Sequence, residues 1–161
     1  MTFIQDRPRN MLHQIVGYRK SHLVAMELNN YEKNYYANIF DDYLTYIDNG
    51  LFEEFTHTMM ANGKPVCIFG MRPYWVGVAE FWLVPSVYIS KYPIAVVKEC
   101  RAYLDEMIRQ YDLKRLQITV SYHNDTAYKF AKSLYFRKES VLKKYGPEGA
   151  DYFMMARFPD E

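Results

Sequence analysis

The chain has 161 residues, half of them hydrophobic, and its 20 basic and 19 acidic side chains leave a net charge of +1. A chain of that size fits one domain that buries roughly two thirds of its unfolded surface without disulfides or metals, and so even a charge balance supplies no strong field for nucleic acid or anionic membranes. No window approaches the roughly 20 apolar residues of a membrane-spanning helix, and no apolar stretch follows the charges around Asp6, so a soluble protein without a signal peptide is expected.

Taken in order, residues 1 to 20 read as an N-terminal extension or cap, with Met11, Leu12, Ile15 and Val16 forming a short helical stripe after Pro8. His22 to Met26 reads as a short strand. From Asn29 or Asn30 as a cap, Tyr31, Tyr35, Ile39, Tyr43 and Ile47 recur at three-to-four-residue spacing, which predicts an amphipathic helix ending at Asp48-Asn49-Gly50. Its tyrosines suit a packed core as well as a binding wall.

Phe55 to Met60 and Pro65 to Met71 are two strand patterns joined by Ala61-Asn62-Gly63-Lys64, and Asn-Gly between such runs predicts a hairpin. Arg72-Pro73-Tyr74 reads as the next turn. Val76 to Val84 is then nearly all apolar, as a central strand would be, with Glu80 its single charge. A carboxylate in such a setting is salt-bridged, solvated on one face, or functional. Ile94 to Tyr111 predicts a long helix. Leu116, Ile118 and Val120 alternate with polar residues as a strand, and Asn124 stands where it caps a helix carrying Ala127, Phe130, Ala131 and Leu134.

Cys67 and Cys100 lie in unrelated apolar segments, which suggests buried free thiols in a reducing compartment. Neither they nor the four histidines show metal-ligand spacing, so no metal is expected. Asp41-Asp42 and Glu53-Glu54 are adjacent acids that point to different faces and read as solvated.

Asn124, Ala127, Leu134 and Phe136, followed by Tyr145 to Arg157 as a final turn and strand, resemble the second half of a GNAT acyltransferase domain. Phe81-Trp82-Leu83-Val84 and Lys91-Tyr92-Pro93-Ile94-Ala95 are similar to a narrower group, the GNAT-like phage internal virion protein A family. The likeness covers roughly Asn62 to Phe158. It implies a single α+β domain with a mixed, mostly antiparallel central sheet flanked by helices. It also implies a general base on the strand that carries Glu80, and an acyl-CoA, if one binds, held around Leu83, Val84, Lys91, Ile94 and Asn124.

The chain departs from the GNAT pattern at two places. The pyrophosphate loop usually carries an Arg or Gln and then Gly-x-Gly or Gly-x-Ala, because close backbone approach to an anion favours glycine. Here Pro85 to Ala95 contains no glycine, and Pro93 brings no N–H. The tyrosine usual seven residues after the Asn is Ala131, and the glycine eleven residues after it is Tyr135. The resemblance then implies a non-catalytic, virion-associated structural protein with no cofactor. Its partners would be other phage structural proteins, with self-association as a further option and nucleic acid disfavoured, and its place the virion or the host cytoplasm. The alternative is a working acetyl-CoA-dependent N-acetyltransferase with Glu80 as base.

Overall fold

The structure, a computed structural model, describes residues 12–37 and 42–161. Its strands form a seven-stranded sheet in the order β1 (His13–Gly17), β2 (His57–Ala61), β3 (Lys64–Trp75), β4 (Val78–Pro85), β5 (Arg115–Ser121), β7 (Tyr152–Arg157) and β6 (Arg137–Leu142). β4 and β5 pair parallel, whereas β1 with β2, β2 with β3, β5 with β7 and β6 with β7 pair antiparallel. The helices are α1 (Lys20–Val24), α2 (Asn30–Ala37), α3 (Tyr43–Asn49), α4 (Pro93–Tyr111) and α5 (Asp125–Ser133). This is the mixed, mostly antiparallel α+β architecture expected.

Two N-terminal expectations are corrected. Of the expected helical stripe, Ile15 and Val16 belong to strand β1, which pairs Ile15 with Met59, and Leu12 stands just before it; β-branched neighbours in so short a run favour an extended pairing over a helix. His22 to Met26 is not a strand, because α1 already occupies Lys20–Val24, begun by the Arg19 N–H donating to His22 Nδ1 at 3.1 Å. Met11 and Ile39, and the side chains of Tyr31, Tyr35 and Tyr43, lie outside the described residues, so the tyrosine wall stays an expectation. Its helix is seen as two pieces, α2 and α3.

The Asn62-Gly63 hairpin forms as expected, with φ of 52° and 71°, the left-handed pair that a two-residue turn between twisted strands requires. The turn expected at Arg72-Pro73-Tyr74 does not form. β3 continues through Pro73, where its pairing with β2 has already ended at Phe69, so no bond of the β2 ladder needs the proline's missing N–H. The reversal comes at Val76-Gly77, where φ at Gly77 is +83°. β6 went unforeseen: Arg137, Lys138 and Glu139 look like a loop, yet exposed charges are how an edge strand avoids further pairing.

The chain folds as two compact units, one made of Met1–Gly70 with Leu83–Pro93 and the other of Met71–Trp82 with Ile94–Glu161. In the first, Leu23, Met59, Val66, Ile68 and Phe69 are buried, and the Tyr18 hydroxyl donates to Asp48 Oδ1 at 2.7 Å, tying the β1–α1 link to α3. In the second, α4 buries Val96, Cys100 and Leu104, a stripe at four-residue spacing. Phe81 stacks on Phe136 with centroids 6.4 Å apart and lies 6.3 Å from Tyr103 of α4. Cys67 and Cys100 are buried and form no disulfide, and burial pushes the Cys67 thiol up to about 12, which leaves it unreactive.

Candidate functional site

Alternation along β4 decides where Glu80 goes. Ala79 and Phe81 take the core side, so Glu80 takes the other, although it is itself only 9% exposed. Its register partner on β5 is Gln117, whose Oε1 accepts from Arg115 Nε at 2.9 Å. The Tyr74 hydroxyl donates to Glu80 Oε2. Burial, and next the hydrogen bond and charge of Glu80, push the Tyr74 phenol up to about 12, against a smaller downward pull from the Arg72 charge. No Lys or Arg pairs with Glu80 among the described residues. The reading that left a salt bridge open therefore gives way to a phenol–carboxylate pair. Sequence reasoning missed Tyr74 because it placed a turn there; taking Gly77 as the turn would have set the two residues on facing hairpin arms.

Tyr74→Phe keeps the ring and removes the donor, leaving a buried carboxylate oxygen unsatisfied. The expected loss is about 1–3 kcal/mol in a urea unfolding midpoint at constant slope. An unchanged midpoint would mean that water satisfies Glu80 equally well.

The loop from β4 to α4 is closed on itself. The Ser86 hydroxyl and N–H both donate to the Val66 carbonyl, at 2.7 and 2.9 Å. The Val87 N–H donates to the Glu27 carbonyl and Tyr88 N–H to Ser86 Oγ; those of Ile89, Lys91 and Tyr92 donate to the carbonyls of Ser86, Tyr88 and Ile89. These bonds wind Ile89–Lys91 into a 3-10 turn. Both Lys91 and Lys64 sit over the Tyr88 ring, with ammonium groups 5.5 and 4.8 Å from its centroid.

The other residues singled out from the sequence stand as follows. Leu83 and Val84 close β4, with Val84 buried, and Ile94 is 82% exposed near the start of α4. Asn124 caps α5, its Oδ1 accepting the Ala127 N–H at 3.1 Å. Ala131 is fully buried, and Tyr135 adopts φ +72°. That left-handed backbone costs a non-glycine residue roughly 1–2 kcal/mol. The Arg101 and Arg157 guanidiniums lie 4.7 and 5.3 Å from the Tyr135 ring and donate to the Ser133 and Leu134 carbonyls, which offsets the cost. Among the described residues no three potential metal ligands cluster, and no helix is long and apolar enough to cross a membrane.

The chain superposes on a GNAT-family acetyltransferase from Bacillus anthracis with a TM-score of 0.71 at 16% identity, covering 92% of this chain and 96% of that one. For Ard1 from Thermoplasma volcanium the score is 0.70 at 14% identity, with 91% and 97% covered. The chain has the GNAT acetyltransferase fold. A GNAT-family acetyltransferase from Streptococcus pneumoniae gives 0.62 at 12%, with 91% and 99% covered. Identities this low establish the fold alone. No family model and no curated protein matches the chain, so the likeness to the phage family rests on its sequence stretches.

Against the GNAT fold, the left-handed backbone at Tyr135 explains why glycine is usual there. The buried methyl of Ala131 cannot act as an acid. The parallel ladder pairs Val78, Ala79 and Glu80 with Arg115, Leu116 and Gln117, so Glu80 marks its end while β4 runs on to Pro85 and β5 to Ser121.

Proposed function

We propose that this GNAT-fold chain binds without transferring an acyl group, serving as a virion-associated structural or accessory protein as its likeness to phage internal virion protein A implies. The observation that carries this reading is the closed β4–α4 loop. An anion nest needs several backbone N–H groups aimed outward at a helix start. Five of those in Val87–Tyr92 are already donating to protein acceptors, and Pro93 has none. Opening the 3-10 turn to receive a pyrophosphate would break those bonds first. The buried methyl at Ala131 speaks the same way, since the general acid usual in GNAT enzymes is missing.

Calorimetric titration with acetyl-CoA, with desulfo-CoA as a non-reactive control, tests the reading. The expected result is no measurable heat up to millimolar ligand and no thermal stabilisation. Micromolar binding, about −8 kcal/mol, would overturn it.

A second reading is favoured by one observation. Within the second unit, Phe81 and Trp82 of β4 and Ile118 to Ser121 of β5 lie past the end of their mutual ladder, so strand backbone groups there are placed to receive a pantetheine arm. Glu80 would then deprotonate an acceptor amine, directly or through water, with Tyr74 orienting its carboxylate.

A further inference from the structure

The turn between β3 and β4 sets two apolar side chains next to each other in water. Val76 is 99% exposed and Trp75 70% exposed. Gly77 makes the reversal at φ +83°, and its carbonyl accepts the N–H groups of Lys114 and Arg115 at 2.8 and 3.0 Å. The base of the turn is therefore tied to the start of β5, and the tip projects from a fixed foundation. Strand register gathers more apolar surface at this end of the second unit. Val78 pairs with Arg115, and Leu116 with Arg157, so Phe158 follows β7 at the same end of the sheet as the turn. Its ring is 40% exposed and lies 5.5 Å from the Arg115 guanidinium. Tyr111, the last residue of α4, is 41% exposed. The cations where β5 begins are already paired, Lys114 with Asp112 and Asp160 at 2.9 and 3.5 Å and Arg115 with Glu139 at 2.7 Å.

We propose that the Trp75-Val76 tip is a shallow anchor for the surface of a neutral lipid bilayer. Shape, area and charge argue for that occupant. A convex tip needs a matching cavity in a protein partner, whereas a fluid bilayer closes around it. Counted at about 250 Å² for a whole aromatic side chain, the exposed parts of Trp75, Val76, Tyr111 and Phe158 come to less than about 650 Å². That falls short of the roughly 800 Å² that each partner of a stable protein interface buries, so a second copy of the chain is disfavoured. Tryptophan and tyrosine settle at the headgroup level, with the ring inward and the N–H or O–H in water. Withdrawal of Val76 from water adds to the gain. Because the cations at this rim already have carboxylate partners, no free positive field selects anionic headgroups. Binding through so few side chains is reversible.

The test is tryptophan fluorescence of the full chain. Of its two tryptophans, Trp82→Phe leaves Trp75 as the reporter. Vesicles of pure phosphatidylcholine are the probe, with vesicles containing phosphatidylserine alongside. The expected result is a blue shift of the emission that saturates with lipid, together with quenching by phosphatidylcholine brominated in its acyl chains. The same quenching in the parent chain checks that the substitution itself is not the cause. Both lipids should bind alike, and added salt should change little. Val76→Asp, at a side chain already wholly in water, should weaken partition about tenfold or more while leaving the melting temperature unchanged. Emission that does not move at any lipid concentration, or equal partition in Val76→Asp, overturns the anchor. Binding confined to phosphatidylserine and lost in salt overturns it in favour of a basic surface. A blue shift without lipid that grows with protein concentration overturns it in favour of a second copy.

Discussion

Phe81→Ala is expected to cost about 3–5 kcal/mol, enough to lower the melting temperature by roughly 6–20 °C in a chain of this length. Phe81 is fully buried, stacked on Phe136 and tilted at 44° against Tyr103. Truncation would remove the ring's transfer energy and leave a cavity between β4 and α4 that the second unit cannot close without moving either. Because stability is typically about 5–15 kcal/mol, the variant should sit near the unfolding threshold at 37 °C. Differential scanning calorimetry reads the outcome. A loss under about 1 kcal/mol would mean that the ring is not part of a packed core. The same residue matters to the site, since Phe81 facing the core is what turns Glu80 to the opposite face.

Glu32→Gln is expected to stabilise the protein, by an amount that grows with pH. Burial alone pushes the Glu32 carboxyl up from 4.5 to about 7. The folded chain thus holds its proton where the unfolded chain has lost it, and stability falls as pH rises from about 4.5 to 7. The difference, at about 1.4 kcal/mol per pKa unit, sets a ceiling of roughly 3 kcal/mol above pH 7. Glutamine removes the ionisation and keeps the shape. Its advantage should be near that ceiling at pH 8 and shrink to about 0.5 kcal/mol or less near pH 4.5. His22 and His57 act in the opposite direction. Burial lowers both, so their neutral forms favour folding above pH 6.5, and this contribution is lost as pH falls. The difference between variant and parent melting temperatures across the pH series isolates Glu32. A difference that stays flat with pH would show that Glu32 reaches water.

Much of the fold follows from local chemistry that the sequence by itself determines. Asn62-Gly63 specifies its hairpin because two left-handed residues in succession need those types. Asn124 specifies the start of α5 because its oxygen meets the Ala127 N–H, and Leu116, Ile118 and Val120 specify β5 because a strand has a period of two. The missing glycines of the β4–α4 loop are equally visible in the sequence.

Tertiary structure decided what depends on distant partners. Ile15 and Val16 carry a pattern that suits either helix or strand, and pairing with Met59 and Thr58 made it a strand. Pro73 remains in β3 because the β2 ladder ends before it, a fact about another strand. Arg137 to Leu142 became a strand through the backbone groups of β7, which attract a partner whatever its side chains. At the site, sequence identified Glu80 as the unusual charge, but its partner was set by how two hairpin arms meet. A hydrogen bond such as Tyr74 to Glu80 is fixed by a few tenths of an ångström in space, and such proximity has no period in the sequence to reveal it.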